Sequence, residues 1–99
     1  MKRESLFQSE LIRDIEDILP GSIVLKIDPT ASHRQGFPDL LILYGPYWAA
    51  LEAKRSETSN RRPNQDYYVS LLNDWSYASF IFPQNKEEIL HEIKQVFKI

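Results

Sequence analysis

Two short apolar runs hinged on Gly45-Pro46 constrain the fold of this chain more than any other feature. Leu40 to Leu43 precede the hinge and Trp48 to Leu51 follow it. Each run is too short for a core helix and is bounded by a turn dipeptide, so we read strands over residues 39–44 and 47–54. With Gly45 and Pro46 as the turn, Leu41 opposes Ala50 and Leu43 opposes Trp48 on one face. Leu40, Ile42, Leu51 and Ala53 point to the other. Both faces are apolar, so this hairpin is expected inside a sheet and covered on both sides. The same register sets Asp39 directly opposite Glu52, with Cβ atoms roughly 4.5–5.5 Å apart.

The remaining elements follow from periodicity and punctuation. Phe7, Leu11, Ile15 and Ile18 recur at helical spacing over residues 5–19, and Pro20-Gly21 ends that run. Residues 22–28 read as a strand and residues 29–37 as a loop. Residues 55–62 form a polar loop, and Pro63 suits a helix's first turn. Residues 64–75 then place Tyr68, Leu71, Leu72 and Trp75 on one apolar face. Residues 79–82 read as a short strand. A last helix starts at Asn85, with Glu88 as its capping partner and Leu90, Ile93 and Phe97 as its stripe. The order is α-β-β-β-α-β-α, an α/β or α+β fold, with residues 1–99 expected as a single domain.

Composition excludes several classes. Apolar residues make up 42% and charged residues 26%, which fits a globular domain and argues against disorder or a coiled coil. The longest apolar run is far too short to cross a bilayer, and no signal-peptide pattern is present. Cysteine is absent, so disulfides and thiolate metal sites are excluded. That fits a reducing interior, and a cytoplasmic location is expected. The net charge of −2 conceals an uneven distribution. Acids cluster near both ends, whereas Arg34, Lys54, Arg55, Arg61 and Arg62 share the middle with Asp39, Glu52 and Glu57. If Asp39 and Glu52 hold a metal, this middle region is locally positive and suited to phosphates.

Opposed carboxylates inside a sheet are unfavourable unless something offsets them. A shared proton, a cationic side chain or a metal could do so. Lys54 lies two residues beyond Glu52 and hence on its face. Two carboxylates suit Mg²⁺, which takes one or two protein carboxylates and keeps several waters. Such a site can hydrolyse a phosphodiester, with the lysine orienting the water or stabilising charge on the phosphate. The plainer alternative is a structural ion pair between Glu52 and Lys54 or Arg55.

Pro38-Asp39, twelve intervening residues and Glu52-Ala53-Lys54 match the PD-(D/E)XK nuclease signature. Gly36-Phe37-Pro38-Asp39 resembles the G-x-P-D motif of the VRR-Nuc (virus-type replication-repair nuclease) branch. Arg62-Pro63-Asn64-Gln65 is similar to that branch's helix-borne glutamine, and Glu10 matches its upstream acid. The resemblance runs from about Glu4 to about Phe82. It implies a restriction-endonuclease-like core, a central mixed sheet flanked by helices. It implies that Asp39, Glu52 and the Ala53 carbonyl bind Mg²⁺ or Mn²⁺, supported by Glu10. Lys54 would position or activate the attacking water and Gln65 would orient Lys54 or that water. The implied activity is that of a metal-dependent DNA endonuclease. Minimal members of the resembling group look like homodimers acting on branched DNA such as four-way junctions or flaps, in repair or recombination. A phage or bacterial source fits it.

Other positions carry weaker expectations. His33 and Arg34, in the loop before Asp39, are candidates for contact with DNA phosphates, as are Arg55, Arg61 and Arg62; solvated loop charges are the alternative. Gln65 either enters the site or caps its own helix. Tyr67, Tyr68, Trp75 and Tyr77 suit core or dimer contacts, with stacking on splayed bases as the alternative. His91 reads as surface, and no histidine pair suits zinc. A different class of function, a non-catalytic DNA-junction-binding subunit that kept the fold, predicts salt-dependent binding without cleavage.

Overall fold

The computed structural model describes residues 3–28 and 34–99. Its elements are α1 (Glu4–Ile18), β1 (Ile23–Lys26), β2 (Leu40–Tyr44), β3 (Tyr47–Ala53), α2 (Pro63–Trp75), β4 (Ala78–Ile81) and α3 (Lys86–Val96). The order α-β-β-β-α-β-α is the expected one. A four-stranded mixed sheet, β1-β2-β3-β4, carries helices on both faces, consistent with a restriction-endonuclease-like α/β fold. No helix among the described residues is long and apolar enough to cross a membrane.

The hairpin forms in the expected register. Leu40 pairs with Leu51 and the ladder closes with Tyr44 opposite Tyr47. Gly45 has φ +56° while Pro46 is held at negative φ, the sign pattern of a two-residue II′ turn whose twist suits the strands. β1 joins the other side of β2, antiparallel. β4 lies parallel to β3; a parallel neighbour needs a crossover, and α2 supplies it.

The two sheet faces are covered unequally. Leu40, Ile42, Ala49, Leu51 and Ala53 meet Phe7, Leu11 and Ile15 of α1 and Ile89, Leu90 and Ile93 of α3 in the main core. Burial of each large side chain there stabilises by roughly 1.5–3 kcal/mol. Lys86 pairs with Asp14 and so ties α3 to α1. The opposite face meets α2 alone, through Ala50, Leu72 and Ala78, with Phe37, Leu41, Trp48 and Val69 packed beside them. α2 lies over β3 and β4, so Ile23, Leu25 and Leu43 remain exposed beside it. The expectation that the hairpin is covered on both sides therefore fails at Leu43, because one helix is too narrow to cover four strands.

α2 departs from the sequence reading in a second way. The expected apolar face was Tyr68, Leu71, Leu72 and Trp75, yet only Leu72 is buried and Trp75 is 68% exposed. At about 100° per residue, Gln65, Val69, Leu72 and Ser76 form the stripe turned to the sheet. Tyr68, Leu71 and Trp75 fall on its flank. At α3, Asn85 is the N-cap residue but its side chain does not cap that helix. It instead accepts from the Phe82 N–H and donates to the Phe80 carbonyl, closing the turn after β4.

Candidate active site

The site sits where β2 begins and β3 ends. Asp39 is held from both sides. Its Oδ1 accepts from the Ala53 backbone N–H at 3.0 Å, and its Oδ2 accepts from Gln8 Nε2 at 2.9 Å. The first contact extends the β2–β3 ladder by one step through a side chain. The second comes from Gln8, a buried polar residue on α1. The approach to Asp39 is fixed by Gly36-Phe37-Pro38. Gly36 has φ +87°, and a Cβ there would meet Asn64 backbone and side-chain atoms at 2.8 Å. Only glycine allows this close approach to the start of α2. Asn64 donates to the Gln35 carbonyl at 3.1 Å, so the same contact sets Asp39 against the helix that carries Gln65.

Glu52 is buried at the end of β3. Its Oε2 accepts from Gln65 Nε2 at 3.3 Å and lies 3.9 Å from Lys54 Nζ. Lys54 donates to Gln65 Oε1 at 3.0 Å. Gln65 Oε1 also accepts from the Arg62 N–H at 3.1 Å. Gln65 thus caps α2 and also bridges Glu52 to Lys54. The ion pair between Glu52 and Lys54, the plainer alternative, is also present, at 3.9 Å.

A third acid completes the group. Glu4, Asp39 and Glu52 each bring a carboxylate oxygen within 4.8 Å of the others. Glu10, the acid singled out in the sequence, is not in this group. Glu4 and Gln8 lie one turn apart on one helix face, and Glu10 is about 200° around from Gln8. Glu4 and Gln8 were missed because the helix reading began at Ser5 and its apolar stripe does not reveal which turn meets the sheet end. The one available signal is Gln8 itself, a polar residue at helical spacing from Leu11 and Ile15, with Glu4 one turn before it.

Burial first, and then neighbouring charge, shift the protonation of Asp39 and Glu52. Burial raises Asp39 to about 6, opposed by its hydrogen bond from Ala53. Burial, and next the charge of Asp39, raise Glu52 to about 8. At neutral pH this favours the neutral form of Glu52 and leaves Asp39 mostly ionised, and added positive charge favours ionisation of both. All three side chains offer hard oxygen donors, a set suited to Mg²⁺ or Mn²⁺ rather than zinc. The arrangement is compatible with a divalent ion.

The acids line an open cavity of about 810 Å³ whose wall includes Lys26, Lys54, Asn60 and Arg62. Of the expected phosphate contacts, Arg62 lies here. Arg61 instead covers the Phe80 ring, with its guanidinium carbon 4.0 Å from the centroid. Arg55 is exposed and is not in the cavity wall. Arg34 lines a second, adjacent cavity. His33 lies outside the described residues. Tyr77 is buried and donates to Glu92 at 2.6 Å, a core role. His91 is exposed as expected.

No protein-family model matches this sequence, and no curated protein matches it. Among solved structures it is similar to a protein described as a VRR_NUC domain protein, with a TM-score of 0.59 and 18% sequence identity. The match covers 91% of this chain and 87% of that chain. That likeness is one of fold: the sheet and helices described above are VRR-Nuc-like.

Proposed function

We propose that this chain is a Mg²⁺- or Mn²⁺-dependent DNA endonuclease of the VRR-Nuc type, formed by one nuclease domain over residues 1–99. The observation that carries the reading is the convergence of Glu4, Asp39 and Glu52 beside the Lys54–Gln65 hydrogen bond. Asp39 and Glu52, acids of raised pKa that face one another, cost stability, and a phosphodiesterase needs that arrangement whereas a scaffold does not. The VRR-Nuc-like fold and the Pro38-Asp39…Glu52-Ala53-Lys54 motif support the same reading.

Glu4, Asp39 and Glu52, with the Ala53 carbonyl, would hold the ion. When bound, it supplies Lewis-acid polarisation of a phosphoryl oxygen and an acidified water. Asp39 is oriented for its part by Gln8 and Ala53. Lys54, steered by Gln65, presents an ammonium to the charge that develops on the phosphate and orients the attacking water. Gln65 also keeps the Glu52 oxygen in place. Arg62 attracts the DNA backbone to the cavity, and Arg34, Arg55 and Arg61 add positive charge around it. Branched DNA, such as four-way junctions or flaps, is the proposed substrate and a homodimer the proposed active form, acting in the cytoplasm. The exposed Ile23, Leu25 and Leu43 beside the sheet edge at β1 support association of two copies.

The test is cleavage of labelled linear duplex, single-stranded, flap and four-way DNA with Mg²⁺ or Mn²⁺. Asp39→Ala should lose at least about 10³-fold in rate. Lys54→Ala should keep Mn²⁺ binding by calorimetry and lose turnover. Full metal-dependent cleavage by Asp39→Ala overturns the assignment. Salt-dependent DNA binding with no cleavage in any divalent ion selects the non-catalytic junction binder.

A further inference from the structure

A second cavity, about 270 Å³, adjoins the acidic one, and Phe37 lines both. We propose that it is a stacking subsite for one unpaired nucleobase of a DNA strand whose scissile phosphate lies at the acids. The identity of the strand rests on the nuclease reading above; the cavity itself is an independent feature.

Its walls are aromatic. Phe37, Tyr67, Tyr68 and Trp75 line it with Leu71, and Arg34 adds a guanidinium. Tyr67 is 58% and Trp75 68% exposed. The rings form an edge-to-face chain. Phe37 and Tyr68 have centroids 5.5 Å apart at 61°, and Tyr67 and Tyr68 are 5.1 Å apart at 72°. Edge-to-face contact leaves one ring of each pair with a face its partner does not cover, and an exposed π face is what a base stacks on. Arg34 suits either stacking or a phosphate.

Position and size select the occupant. Phe37 stands two residues before Asp39, and Tyr68 stands one turn after Gln65. The cavity thus begins at the wall of the acid site and follows the flank of α2 to Trp75, about 15 Å along the helix from Gln65. At about 270 Å³ and open to solvent, it suits one flat ring system laid against its aromatic wall. Intact duplex offers no free base. A strand unpaired beside the scissile phosphate does, so the subsite favours flaps, junction arms and single strands over continuous duplex. Because every base has a π face, it reads pairing state and not base identity.

The probes are a fluorescein-labelled oligothymidylate and a blunt duplex of equal length, with binding followed by anisotropy in EDTA so that nothing is cut. Trp75→Ala and Tyr67→Ala should each weaken oligothymidylate binding about ten-fold and change duplex binding less than about two-fold. Trp75→Phe and Tyr67→Phe should restore the wild-type value. With wild-type protein, an abasic nucleotide in the oligothymidylate should weaken binding, a measurement that needs no variant to fold. Unchanged oligothymidylate affinity in both alanine variants, or equal losses on both DNAs, overturns the proposal. Dissociation of a dimer by Trp75→Ala with oligothymidylate affinity retained would also overturn it and assign the patch to a second copy. Cleavage with Mn²⁺ decides the nuclease reading separately: a protein that cuts DNA yet binds oligothymidylate normally without Trp75 loses only the stacking subsite, and one that never cuts can still show it.

Discussion

The two faces of the sheet are built for different ends. The face under α1 and α3 is apolar, and Leu40, Ile42, Leu51 and Ala53 are wholly buried there. The face under α2 holds Glu52, a thin apolar cluster and exposed aromatic side chains. One strand serves both: Leu51 points into the core and Glu52, its neighbour, into the site. Stability is concentrated where side chains are dry and matched. The other face gives up burial to hold charges that oppose folding. Substitutions on the two faces should therefore separate stability from activity.

Glu52→Gln gives the largest and most telling effect. It should reduce metal-dependent cleavage by about 10³-fold or more while raising the melting temperature of the metal-free protein at about pH 8. The sign follows from linkage. Glu52 is raised to about 8 and Asp39 to about 6 in the folded chain, so the folded state holds more protons than the unfolded state above the ordinary carboxylate range. Stability is then greatest at acid pH and falls as pH rises through the folded values. Added Mg²⁺ or Mn²⁺ should reverse that fall, since binding requires the ionised acids. Thermal melts across pH, with and without the ion, check this. A wild-type stability that rises between about pH 5 and pH 8 without metal would break the contrast between the faces.

Leu51→Ala, one residue away, should do the reverse. It opens a cavity between β3 and the helices of the core and should cost about 2–5 kcal/mol, read by urea denaturation. The folded fraction should retain its cleavage rate per molecule. A large loss of rate in protein that remains folded would show that the core face also tunes the site.

How far each face was legible in the sequence follows the same division. The hairpin and its register were readable because alternation and the Gly45-Pro46 turn act over few residues, and Asp39, Glu52 and Lys54 follow from that register. The stripes of α1 and α3 were readable because each has one apolar face and one partner. α2 was misread because it carries two neighbouring apolar stripes, Val69–Leu72 toward the sheet and Tyr68–Leu71–Trp75 on the flank. Which stripe is buried is set by its packing on Ala50 of β3 and Ala78 of β4, contacts distant in sequence. Asn85 likewise spends its side chain on β4, a partner that local capping rules do not include.

The smallest predicted effect addresses the residue on which sequence and structure part. Glu4 stands in the first turn of α1 and reaches Asp39 and Glu52; Glu10 stands on a different side of the helix. Glu4→Gln keeps size and hydrogen-bonding capacity but removes one charge from the acid group. It should weaken Mn²⁺ binding about ten-fold, measured by calorimetry. Glu10→Gln should change binding by less than about two-fold, within the range of a surface substitution. Removing Glu4's charge also relieves Asp39 and Glu52, on both of which it acts to raise the pKa, so the metal-free variant should lose less stability with rising pH than wild type. If Glu10→Gln weakened metal binding and Glu4→Gln did not, the acid from the first helix would have to come from one turn and a half further along. The docking of α1 against the sheet end, fixed here by Gln8 on Asp39, would then be wrong.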